Sequence, residues 1–187
     1  MGLLSEVFNR PADAFRRGNK TVSWAIVGST VLLNSVFEPV LRHFYGVNAP
    51  ALSALHMLKL TVLGVLSYVA ICAAFWLVCK AFGSRVTLMQ HFWAWGASYL
   101  PTALCAVVVA VTEVFFYLFW NNTLWGMLLN FVFIGILLWK SLLFVIYLRE
   151  FAALKGWRLA GAAVVMGVII LLLAAVSGYL GIKTPVL

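Results

Sequence analysis

Charge is what this chain has least of. Only 10% of its 187 residues are Asp, Glu, Lys or Arg, and acids are the scarcer sign, five against thirteen basic residues. A water-soluble domain is about a quarter charged. With 65% apolar content there is too little polar surface to coat a soluble core, so an ordinary soluble fold is excluded. Cysteine is sparse as well: Cys72, Cys79 and Cys105 all lie inside apolar runs, where a thiol behaves as a small hydrophobe. They offer neither a disulfide framework nor a CxxC metal pair. HExxH, GxSxG, P-loop and GxGxxG arrangements are missing, as are a groove-reading motif for nucleic acid, an internal repeat and a domain linker. The sequence therefore assigns no catalytic residue, no cofactor and no metal ligand, and predicts neither an enzyme nor a nucleic-acid partner.

What the chain does have is long apolar runs. They predict an all-α polytopic membrane bundle with five transmembrane helices, at about 22–41, 57–79, 92–118, 124–148 and 160–182, forming one membrane domain over 22–187. Each is close to the ~20 residues a bilayer crossing needs. Residues 1–21 stay polar, but Leu3, Leu4, Val7 and Phe8 recur at helical spacing and Ala14 and Phe15 continue past Pro11. That pattern predicts a cytoplasmic amphipathic segment lying on the membrane surface. The first apolar run starts at Val22 with no small-residue cleavage pattern close behind, so it is read as an uncleaved span. In the third span Ser98 and Pro101 mark a candidate hinge or a static bend. In the fifth, Ala163 and Gly167, then Ala174 and Gly178, give small-xxx-small spacing suited to close helix packing.

Orientation follows from the basic residues. Nine fall on one side, in the N-terminal segment (Arg10, Arg16, Arg17, Lys20), after span two (Lys80, Arg85) and after span four (Arg149, Lys155, Arg158); the other side has Arg42, Lys59 and Lys183. This predicts a cytoplasmic N-terminus and an external C-terminus. Arg16, Arg17, Lys20, Lys80, Arg85, Arg149, Lys155 and Arg158 become candidate contacts for anionic lipid headgroups. Trp76, Trp93, Trp95, Trp139 and Trp157 are expected in the inner aromatic belt, and Trp120, Trp125 and Tyr179 in the outer one.

Ionisable groups inside spans are costly and are functional candidates. Asn34, Glu38 and Arg42 follow one another at four-residue steps on one helix face, with Glu before Arg, the better order for an ion pair. Pro39 frees the Ser35 carbonyl. Lys59 opens span two and is expected to reach towards Glu113 in the outer part of span three. Lys140 lies deeper, about 12 Å of helix from Leu148; a carbonyl, Asn130 or an inner-leaflet lipid phosphate is the expected partner. Asn34, Glu38, Arg42, Lys59, Glu113 and Lys140 together form the candidate intramembrane polar site. The alternative is a ladder of interfacial charges that pair or snorkel for packing alone. His43 and His56 flank the outer loop near Glu38, but without ligand spacing on one element they read as boundary residues. Glu38 and Arg42 also echo the ExxxR of CAAX-type intramembrane proteases, whose paired glutamates and later His motifs this chain lacks.

Several short motifs, in order, carry a family resemblance: Asn9-Arg10-Pro11 with Phe15-Arg16; Phe82-Gly83 before a short polar loop; Ser98-Tyr99-Leu100-Pro101; Trp139 through Leu148-Arg149-Glu150; and Gly156-Trp157-Arg158-Leu159-Ala160. In these the chain resembles the bacterial form of the YIP (Ypt/Rab-interacting protein) domain family of five-span membrane proteins. The acidic-Tyr-Gly-Pro signature of eukaryotic members is absent, which sets Rab-type GTPase binding aside. The resemblance implies a non-enzymatic protein of the bacterial inner membrane, linked in eukaryotes to trafficking and membrane shaping and in some bacteria accompanying transport systems. The expected function is a membrane-organising or partner-binding factor, acting through helix packing with a membrane-protein partner or itself and through inner-leaflet lipid. The alternative is a transporter or lipid-translocation component whose polar path is made by Glu38, Arg42, Lys59, Glu113 and Lys140, which must then face one another.

Overall fold

The computed structural model describes residues 9–17, 19–45, 53–116, 119 and 121–179, without the side chains of 17, 174 and 176–179. Arg17 as a lipid contact, Leu3, Leu4, Val7, Phe8, Trp120, Tyr179 and Lys183, and the Ala174/Gly178 pair lie outside what is described. The fold is all-α, with no strand among the described residues.

A short helix, α1 (Pro11–Arg17), begins on a proline, which suits a first turn because its missing N–H is an orphan there anyway. Asn19 caps the next helix, its side chain accepting from Val22 N–H at 3.2 Å. That helix runs as α2 (Lys20–Leu32), a π-helical turn (Leu33–Phe37) and α3 (Glu38–Tyr45). The π turn answers Pro39: with no proline N–H to reach the Ser35 carbonyl, the helix widens, and Glu38 N–H bonds Leu33 O instead. The second long helix, α4 (Ala54–Ala81), starts from a Ser53 cap.

The third starts earlier than the apolar run suggests. Thr87 and Gln90 form a reciprocal capping box, so α5 spans Leu88–Gly96 rather than opening at 92. A 3₁₀ turn (Ala97–Tyr99) then leads into α6 (Leu100–Val114), with Pro101 in its first turn. Ser98 and Pro101 are both buried, and Ser98 Oγ donates to Trp95 O at 2.7 Å. The fourth, α7 (Thr123–Ile146), starts from the Asn122 cap and ends in a second π turn (Tyr147–Phe151). Past it Ala153 takes a left-handed φ of 55° while Leu154 N–H closes on Leu148 O. The last helix is α8 (Trp157–Tyr179).

Four of these elements are long and apolar enough to cross a membrane: Lys20–Tyr45, Ala54–Ala81, Leu88–Val114 and Thr123–Phe151. Within α8 the apolar stretch is shorter, Trp157–Leu173. The first and third helices run side by side, α2 on α5 and α3 on α6. α4 packs on α5 and on the first π turn, α7 on α6, and α8 on α4 and the second π turn. Helices α2 and α5 approach closely at Gly96, where a Cβ would stand 2.8 Å from Ser23 Cβ and 3.1 Å from Ser23 O. On α8 Ala162 and Met166 are the packed residues, whereas a Cβ on Gly167 would meet nothing.

The N-terminal helix does not turn its apolar side to lipid. Phe15 is 1% exposed and meets the Tyr147 ring edge-on at 5.6 Å. Trp95, expected in the inner belt, is also interior at 3% exposed. Burying such large rings inside a bundle gains packing that the bilayer cannot distinguish from lipid contact by apolarity alone.

Candidate functional site

The intramembrane polar residues fall into two groups. In the first, Glu38 and Arg42 sit one turn apart on α3, with Arg42 Nε 3.1 Å from Glu38 Oε1. Because α3 lies along α6, Arg42 Nη2 also reaches Glu113 Oε2. One guanidinium thus bridges two carboxylates on neighbouring helices, using the planar fork that distinguishes Arg from Lys. Asn34 does not join them: its Nδ2 donates to Thr30 O at 2.9 Å, within its own helix. Lys59 is exposed on the first turns of α4, and Arg42 takes the place at Glu113 expected for it.

The second group is centred on Lys140, on α7. Its Nζ donates to Thr102 Oγ1 on α6 and lies 5.1 Å from the centroid of the Tyr99 ring, within cation–π range. Asn130 is exposed and is not its partner. Thr102 and Glu113 share α6 and are separated by about 16 Å of helix, so the two groups do not join into one continuous path. Among the described residues no cluster of three or more His, Cys, Asp or Glu side chains is placed to hold a metal, and His43 and His56 are both exposed.

At the opposite end from Glu113, the bundle is rimmed with cations. Arg16 on α1 pairs with Glu150 in the second π turn, and Arg149 Nε stands 3.6 Å from the same carboxylate. Lys20 Nζ lies 3.7 Å over the Trp93 ring, Lys80 Nζ 4.8 Å over Trp76, and the Arg158 guanidinium 6.0 Å from Trp157. Trp76 Nε1 donates to Val86 O at 2.9 Å, pinning the loop between α4 and α5. Gly83, at φ 93°, turns that loop, and a Cβ there would be 3.1 Å from Arg158 Nη1. Arg85, in the same loop, and Lys155, just before α8, are exposed.

Sequence reasoning passed over a buried polar cluster under this rim. His91 is fully buried. It shares a hydrogen bond with the Tyr147 hydroxyl through Nδ1 and stacks on Trp95 at 5.9 Å, 10° from parallel. Tyr68 donates to Phe92 O. The signal was the capping pair Thr87 and Gln90, which brings His91 inside the helix where an apolar run beginning at Phe92 leaves it out.

With this geometry in hand, comparison with known proteins gives one match. The family model described as the Yip1 domain matches residues 5–178. No curated protein and no solved structure matches the chain.

Proposed function

The chain belongs to the Yip1 domain family of membrane proteins, and on that footing we propose that it is a non-enzymatic membrane-organising factor of a bacterial inner membrane. It crosses five times, with its cation-rimmed end in the cytoplasm. It works by packing against a membrane-protein partner or a second copy while holding anionic headgroups of the inner leaflet. For the fifth crossing, the 23 residues of α8 give about 34 Å of helix, enough to pass the hydrocarbon layer.

The observation that carries this reading is the rim of cations laid on Trp rings: Lys20 on Trp93, Lys80 on Trp76 and Arg158 beside Trp157. Trp collects at headgroup depth, so these ammonium and guanidinium groups are held where lipid phosphates lie. Each cation near an anionic surface is worth about 1 kcal/mol. Their ring contacts leave the hydrogen-bond donors of these groups for phosphate oxygens. Glu38 and Glu113 are both engaged by Arg42, which favours a packing role for that triad over proton or substrate transfer.

The test is lipid retention. The protein is extracted from bilayers of mixed neutral and anionic lipid, and the lipid that stays bound is quantified by mass spectrometry. Wild type is expected to be enriched in anionic lipid, and the triple variant Lys20→Gln, Lys80→Gln, Arg158→Gln to lose at least tenfold of that enrichment. Equal retention by the two proteins would refute the headgroup reading.

A further inference from the structure

Between the helices lies a cavity of about 160 Å³. Phe75 and Phe144 contribute to its apolar wall, and Trp95, Ser98, Tyr99, Lys140 and Ser141 line it with polar groups. The two serine hydroxyls already donate along their own helices, Ser98 to Trp95 O at 2.7 Å and Ser141 to Leu137 O at 2.8 Å. What is left over is a surplus of donors. The Lys140 ammonium has three N–H bonds and no acceptor, and Thr102 takes one of them. Trp95 Nε1, a donor only, is buried with no hydrogen-bond partner among the described residues. Among those residues no carboxylate pairs with Lys140 either. In hydrocarbon there is no water to meet such groups.

The cavity also has an opening to the side. Helix α8 leans on α4 and on the second π turn rather than lying along α7. At its edge between α7 and α8, Leu137 of α7 is 65% exposed and Ile170 of α8 is half-buried. That rim faces acyl chains, so whatever enters there comes from the bilayer.

We infer that this cavity binds a single-chain lipid with an acidic head, a carboxylate or a phosphate, which enters sideways between α7 and α8. Its head accepts from Lys140 Nζ and the Trp95 indole N–H, and its first carbons lie against Phe75 and Phe144. The volume is of the order of apolar cavities known to take a benzene ring, about 150 Å³. It therefore holds the head and the first few carbons, and the rest of the chain lies in the slot among neighbouring lipid tails. None of the cations at the Trp-lined rim is needed, so this site stands apart from the headgroup contacts proposed above.

The test uses the full-length chain in a neutral, nonionic detergent and three probes: oleate, oleoyl lysophosphatidic acid and methyl oleate. Binding is measured by titration calorimetry. At least one acid is expected to bind tenfold or more tightly than the uncharged ester, and the acid that does so identifies the head. Lys140→Met is expected to erase that preference and Lys140→Arg to keep it. Ser141→Trp, which narrows the cavity while keeping Lys140, is expected to weaken binding tenfold. The Lys20→Gln, Lys80→Gln, Arg158→Gln variant is expected to bind as wild type does. An ester bound by wild type as tightly as both acids overturns the inference, and that comparison needs no variant to fold. So does a preference that survives Lys140→Met or disappears in the Lys20→Gln, Lys80→Gln, Arg158→Gln variant.

Discussion

Arg42 shows what a single side chain does when acids are scarce. It lies between Glu38 on its own helix and Glu113 on the third, so removing it takes a shared counter-charge away from two carboxylates. Exposed pairs contribute about 0–1 kcal/mol, and breaking fully buried ones costs about 3–5 kcal/mol; this half-buried triad falls between. Arg42→Met is expected to cost on the order of 2 kcal/mol in detergent, read as a lowered unfolding midpoint. Adding Glu38→Gln and Glu113→Gln to it is expected to restore most of the loss. A loss equally large in the triple variant would show that packing of the Arg stem, not charge, was at stake. The Glu38–Arg42 half of this arrangement was legible, because a four-residue step puts two side chains on one helix face whatever surrounds them. The Glu113 half was not, since it depends on which helices pack together. Lys140 was recognisable as a costly group from its depth alone, yet its partner Thr102 belongs to another helix and left no mark in the local pattern.

Among the elements, ends were easier to read than faces. Asn19, Ser53, Thr87 and Asn122 all cap helices, and short polar residues before apolar runs are a direct signal for that. Faces were hard because these helices are apolar nearly all round, and a lipid-facing Leu looks like a core Leu. On α4, Leu58 and Leu66 are largely exposed while Ile71 and Phe75 are buried, with no change in residue type to announce it. Phe15 was misjudged for the same reason: an apolar residue on a short basic helix suits a membrane surface as well as a protein core. The contact between α2 and α5 at Gly96 has a definite consequence. Because a Cβ there already meets Ser23 backbone at 3.1 Å, Gly96→Val is expected to force the two helices apart at a cost of about 1–3 kcal/mol. Gly167→Val, with open space around its Cβ, is expected to leave the unfolding midpoint within about 0.5 kcal/mol of wild type. A similar loss at both positions would contradict this account of the packing.

For the molecule as a whole, class was legible in composition, and the distribution of Lys and Arg predicts an orientation; neither depends on which helices touch. Orientation has its own check. Single cysteines are placed at Arg85, in the loop after α4, and at Asn121, before α7, in a background where the native Cys72, Cys79 and Cys105 are replaced by Ala or Ser. In intact cells, Asn121→Cys is expected to react with a membrane-impermeant thiol reagent, and Arg85→Cys only after permeabilisation. The reverse pattern would invert the protein and move its cationic rim to the outer leaflet. What composition and charge could not give is the mutual arrangement of the helices, and with it the side opening between α7 and α8.

The seat of the N-terminal helix also bears on how the chain is made. Arg16 and Glu150 are 134 positions apart, and Phe15 closes against Tyr147. Synthesis runs from the N-terminus, so α1 is made well before the fourth long helix and its π turn, which supply Tyr147 and Glu150. A chain stalled after two or three of the long helices would lack the Tyr147 ring that closes on Phe15 and the Glu150 carboxylate that pairs with Arg16. Full docking of α1 thus reports on insertion of the fourth long helix: a segment made early completes its contacts late.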